Sequence, residues 1–105
     1  MELEDVVKEL SKSGWKCSKK EPETILCFNE DKEVFIEPFY TLDKQGYIIR
    51  CGWAIHMRRK NVFHYDIKSP RRLEDAKRFA ETVMRNWDKV EKHFKELQWI
   101  GAKVD

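Results

Sequence analysis

From Tyr47 to Arg58 the side chains alternate without interruption. Tyr47, Ile49, Cys51, Trp53, Ile55 and Met57 fall on one side, and Ile48, Arg50, Gly52, Ala54, His56 and Arg58 on the other. A two-residue period sustained over twelve positions suits a strand, whose successive side chains point to opposite faces, and it makes a sheet the centre of whatever this chain folds into. The rest can be laid out around that strand.

The run Val62 to Lys68 has the same period, with Phe63, Tyr65 and Ile67 on one face and Val62, His64 and Asp66 on the other. A three-residue loop, Arg59-Lys60-Asn61, with Asn61 in the left-handed position, pairs Met57 with Phe63, Ile55 with Tyr65 and Trp53 with Ile67, so that the apolar faces coincide. The same register sets His56 opposite His64. Upstream, Val34 to Tyr40 is a strand that Pro38 places at an edge or a bulge, because proline lacks a ladder donor. Asp43-Lys44-Gln45-Gly46 reads as the turn after it. Trp15 and Cys17 alternate with Lys16 and Ser18, and Thr24 to Phe28 has strand composition. A hairpin closed by Glu21-Pro22-Glu23 puts Cys17 directly opposite Cys27.

Helical spacing appears at both ends. Leu3, Val6, Val7 and Leu10 form one apolar stripe, acids crowd the first turn, and Ser13-Gly14 is the stop. Near the other end, Leu73, Ala76, Ala80, Val83, Trp87, Val90, Phe94 and Leu97 step by three and four. Ser69 is the expected cap, Pro70 the first helical position and Gly101 the terminator, giving one helix from about Pro70 to about Trp99, ~45 Å long. The order predicts an α+β fold with two layers: a short N-terminal helix, a five-stranded antiparallel meander, and a long C-terminal helix packed on the sheet. At 105 residues the chain has room for one core, so residues 1–105 are expected to form one domain. A helix of that length overhangs a narrow sheet, and a second copy of the same helix would cover the seam, with Trp87, Phe94, Leu97 and Ile100 at the interface.

No stretch nears the ~20 apolar residues of a membrane span, and MELEDVVKEL has acids where a signal peptide carries base. A cytoplasmic protein without membrane contact is expected. Three cysteines without Cys-x-x-Cys spacing encode neither a disulfide framework nor a zinc ribbon, so reduced thiols are the expectation.

Charge is unevenly spread. Residues 1–49 hold 7 basic and 11 acidic side chains, residues 50–85 hold 10 and 4, and residues 86–105 hold 4 of each. Arg58, Arg59 and Lys60 make a basic hairpin tip, and Lys68, Arg71, Arg72 and Arg78 carry the charge into the last helix. Cations near a helix start attract phosphate, and Arg50, His56 and His64 add hydrogen bonds and stacking on the sheet. These ten residues are the candidate DNA or RNA contacts. The alternative is an interaction or assembly module without catalysis, associating through the C-terminal seam. The helix–strands–helix order with a basic start between Ser69 and Met84 loosely resembles a double-stranded RNA-binding domain. The chain departs from that family by two extra strands and an acidic first helix, and the family's function is not carried over.

Enzyme chemistry finds no motif. Cys51 and His56 point to opposite faces of one strand, and neither a phosphate loop nor a His-Glu-x-x-His helix is present. His56, His64 and Asp66 fall short of a zinc ligand set, so no metal or other cofactor is assigned.

Overall fold

The alternating run becomes the longest strand of a sheet. In the computed structural model, which describes residues 1–60, 63–67 and 70–104 and gives 63–65, 67 and 98–104 by backbone alone, five antiparallel strands lie in chain order. They are β1 (Lys16–Lys20), β2 (Thr24–Asn29), β3 (Lys32–Leu42), β4 (Ile48–Arg59) and β5 (Phe63–Ile67), with helices α1 (Leu3–Ser11), α2 (Leu73–Arg85) and α3 (Trp87–Val104). The two-layer α+β fold stands. The molecule is 22 Å through its thinnest direction, consistent with one sheet under one helical layer.

One face of the sheet carries the core. Ile25 and Cys27 of β2, Val34 and Ile36 of β3, and Trp53, Ile55 and Met57 of β4 meet Val6 and Leu10 of α1 and Ala76, Ala80, Val83 and Met84 of α2. Ala76 and Ala80 are fully buried, and their small side chains let α2 lie close over β3 and β4. At the N-terminus of α1 the Glu2 backbone N–H donates to Asp5 Oδ2 at 3.2 Å, one arm of a capping box, and Gly14 takes φ 90° where the chain turns into β1.

Three expectations need correction. The C-terminal helix is two helices. Asn86, at φ −115° and ψ 31°, donates both its backbone N–H and its Nδ2 to the Thr82 carbonyl, at 2.9 and 3.0 Å, and so ends α2. An asparagine side chain that competes for backbone acceptors can interrupt a helix without disturbing its apolar stripe. Nor does α2 start at Pro70. The Pro70 carbonyl accepts the Trp53 N–H at 2.8 Å, which holds that residue beside β4 and delays the helix to Leu73 with Arg72 as N-cap. Ser69, the expected cap, lies outside the described residues, and α3 runs past Gly101 to Val104.

The β4–β5 register is also displaced. Ile55 pairs with Ile67, Met57 with Tyr65 and Arg59 with Phe63, so His56 faces Asp66 and not His64. The expected register and the observed one put the same residues on each face, and the alternation alone does not distinguish them. Asn61 lies outside the described residues.

The third correction concerns the thiols. Cys17 and Cys27 do lie opposite one another, and they are joined as a disulfide, leaving Cys51 free. Direct opposition in neighbouring strands sets the two side chains next to each other across the ladder.

Candidate docking surface

Arg59 is gripped on two sides: Nε and a terminal nitrogen donate to Glu91 at 2.8 and 3.1 Å, and the other terminal nitrogen donates to both Asp31 oxygens at 2.9 Å. The guanidinium holds both carboxyls below the ordinary carboxylate range, and they in turn raise its own pKa. Arg58 donates to Glu33 at 2.7 Å and lies over the Phe35 ring. Arg50 stacks 4.2 Å from the centre of Trp53 and reaches Glu23 at 3.2 Å. Arg72 pairs with Glu74 at 2.8 Å, which raises its pKa and lowers that of Glu74. Thus the hairpin-tip arginines are bound into the fold by acids distant in sequence.

Arg78 meets Asp75 only at 3.8 Å, and Arg71 has no ion-pair partner among the described residues. Arg71, Arg72, Arg78 and Phe79 line a surface groove of about 620 Å³. Lys60 is exposed, whereas Lys68 lies outside the described residues.

His56 stands on the sheet face away from the helices. Its Nε2 lies 2.8 Å from Glu37 Oε1, and its Nδ1 is hydrogen-bonded to Asp66. The expected imidazole pair is replaced by an imidazole between two carboxylates, and the side chain of His64 is not described. No group of three or more His, Cys, Asp or Glu residues is arranged to hold a metal ion among the described residues.

The C-terminal seam is largely spent within the chain. Trp87 is buried beside Trp15, with ring centres 5.7 Å apart, and Phe94 packs against the core. Leu97 is exposed, and the Ile100 side chain is not described.

The feature the sequence reading missed is the far end of the sheet. Among the described residues, ladder pairing of β2 with β3 ends at Ile25 and Ile36 and that of β5 with β4 at Ile55 and Ile67, and the Pro70 carbonyl takes the Trp53 N–H. Past Gly52, which Pro70 and Arg71 also approach, β4 continues with β3 to Ile48 and Leu42 as a two-stranded ribbon. Cys51 is an extra residue between the pairs Phe39–Gly52 and Tyr40–Arg50, a bulge that turns the ribbon relative to the sheet. Pro38, as expected, sits next to that bulge, on the part of β3 that β2 does not reach. The tip is tightly built: Asp43 Oδ1 accepts the N–H groups of Gln45 and Tyr47, both at 2.9 Å, and Gly46 donates to the Asp43 carbonyl at 3.0 Å.

The ribbon carries large apolar side chains on both faces. The pairing groups Tyr40 and Leu42 with Ile48 and Arg50 on one face and Phe39 and Thr41 with Ile49 on the other, and Tyr47 stands at the tip. Tyr47 is 71% exposed, Ile48 73%, Leu42 64%, Tyr40 51%, Ile49 44% and Phe39 40%. A detectable signal was present: consecutive Ile48 and Ile49, and Phe39 next to Tyr40, put large apolar side chains on each face.

No helix among the described residues is long and apolar enough to cross a membrane. No protein-family model, curated protein or solved structure matches the chain.

Proposed function

We propose that the protein is a protein-interaction module that docks through the ribbon formed by the ends of β3 and β4. One observation carries this reading: six large apolar side chains, exposed by 40 to 73%, stand on a hairpin that reaches past the sheet's other strands. Contiguous exposed apolar surface of this kind marks interaction sites, and a two-stranded ribbon without further cover is marginal in water. The ordered Asp43–Tyr47 turn favours docking, since a preformed ribbon loses little conformational entropy on binding.

A benzophenone amino acid placed at Tyr47 tests this in extract of the source cells. The reading predicts protein adducts of discrete mass from Tyr47 and none from the same group placed at exposed Lys92. Absence of any adduct from Tyr47 contradicts it.

A second reading, nucleic-acid binding, draws its support from the Arg71–Arg78–Phe79 groove, where Arg71, which has no ion-pair partner among the described residues, and the loosely paired Arg78 flank an exposed ring. It predicts salt-sensitive retention on DNA or RNA that is lost in Arg71→Glu/Arg78→Glu. Retention unchanged by that double substitution removes the groove from consideration.

A further inference from the structure

We infer that His56 is a pH-operated latch, which ties the edge strand β5 to the sheet while both of its ring nitrogens carry protons. In the strand register His56 of β4 stands between Phe35 of β3 and Asp66 of β5. Its side chain is largely covered, and each ring nitrogen meets a carboxylate: Nε2 lies 2.8 Å from Glu37 Oε1, and Nδ1 is hydrogen-bonded to Asp66. The latch lies apart from the ribbon and does not depend on the docking reading.

Proton counting fixes the state that this arrangement needs. An ionised carboxylate offers only acceptors, and a neutral imidazole has one N–H and one lone pair. Neutral His56 can therefore donate to Glu37 or to Asp66, and its other nitrogen then turns a lone pair toward the remaining carboxylate. The imidazolium donates to both. The other charged side chains described beside it on this face, Glu33 of β3 and Arg58 of β4, are joined to each other at 2.7 Å and cancel. Two carboxylates around one imidazole are what remains. The His64 side chain and Lys68 lie outside the described residues.

The contact that is lost on deprotonation can be named. Nε2 is buried, so water does not replace a proton missing there, whereas the Asp66 side chain is 75% exposed and can turn to solvent. The neutral ring keeps its proton on Nε2, toward Glu37, and lets Asp66 go. Both Glu37 and His56 belong to strands inside the sheet, but β5 is its edge and pairs with β4 alone. Loss of the Asp66 contact therefore loosens β5 and leaves the β3–β4 ladder in place. Imidazoles change charge between about pH 5 and pH 8, so the latch is closed at the acid end of that range and open at the alkaline end.

Nuclear magnetic resonance of the intact, isotope-labelled protein tests this between about pH 5.5 and pH 8, a window above the acid range in which carboxylates take up protons. The His56 ring nitrogens report their own protons, and amide exchange, corrected for its intrinsic pH dependence, reports the β4–β5 ladder against the β2–β3 ladder. The expected result is two protonated nitrogens at the acid end and, as Nδ1 loses its proton, about fivefold lower protection of the β4–β5 ladder alone, the scale of one partly exposed charged hydrogen bond. Asp66→Asn, a change at an exposed side chain whose amide can donate to neutral Nδ1, should flatten that fall. His64, opposite Arg58 in the register, should not matter, and His64→Gln should keep the fall. Protection of the β4–β5 ladder that does not change with pH overturns the inference. So does a fall that persists in Asp66→Asn, or one that vanishes in His64→Gln.

Discussion

Arg59 and Glu91 are joined by two parallel hydrogen bonds, at 2.8 and 3.1 Å, that tie the end of β4 to the first turns of α3. This fork-to-fork pair sits with both side chains largely covered, Glu91 at 12% exposure and Arg59 at 21%. The same guanidinium holds Asp31 in the β2–β3 turn, where Lys60 also donates its N–H to the Asp31 carbonyl at 2.9 Å. What reads in the sequence as a basic tip is a structural clamp that spans thirty-two residues of chain.

Glu91→Gln is therefore expected to lower stability by about 1–2 kcal/mol, the range for a hydrogen bond to a charged group that leaves its partner partly covered. Urea unfolding followed by tryptophan fluorescence reads this. A midpoint equal to that of wild type would show that the pair contributes nothing.

The pH dependence follows from the same contacts. Arg59 depresses the carboxyls of Glu91 and Asp31 below their ordinary values, so both contribute stability above the unfolded-state range, near 4.5 for Glu91 and 3.8 for Asp31. That contribution is lost as pH falls through the lower folded-state values. The melting temperature of wild type should drop as pH is taken below about 4.5, and Glu91→Gln should flatten the decline. An equal acid slope in the two proteins contradicts this assignment.

Gly52 touches the backbone that leads into α2. A Cβ built there would lie 2.3 Å from the Pro70 carbonyl oxygen and 2.8 Å from Arg71 Cα, and its φ of 146° is one that side chains rarely adopt. Gly52→Ala should cost roughly 2–4 kcal/mol, combining backbone strain with overpacking. Thermal unfolding measures it, and a loss below that of an ordinary surface substitution would mean that the close approach is absent in solution.

The Cys17–Cys27 bridge closes a short loop across a buried part of the sheet, with Cys27 fully covered. Replacing both residues by alanine should lower stability by about 2–3 kcal/mol, as expected for loss of a short cross-link. Intact-mass measurement before and after reduction and alkylation checks the bridge itself: one labelled thiol without reductant, three with it.

Much of the layout was legible because strands and helices announce themselves by period. The alternation of Trp53 to Arg58, the Cys17–Cys27 opposition and the apolar stripes of α1 and α2 all depend on local pattern, and all are present; the expected alternation through Tyr47 fails at the Cys51 bulge, which puts Ile49 on the face opposite Trp53 and brings Ile48 and Arg50 to the face of Trp53. What escaped depends on relations between distant parts. The β4–β5 displacement preserves every face, so patterning cannot report it. Pro70 looks like a helix start until the Trp53 N–H is known to hold its carbonyl. Arg58 and Arg59 look free until Glu33, Asp31 and Glu91 arrive from 25, 28 and 32 residues away. The ribbon exists because β3 and β4 have eleven and twelve residues while β2 has six and β5 five. Those lengths follow from turns and pairing together.

Backbone amide exchange of the isotope-labelled protein, in buffer and in extract of the source cells, tests the docking ribbon most directly. The account predicts that Ile48 to Cys51 gain protection in the extract, while amides buried in the β2–β3 ladder stay constant. Exchange at Ile48 to Cys51 that is equally fast in both would contradict it.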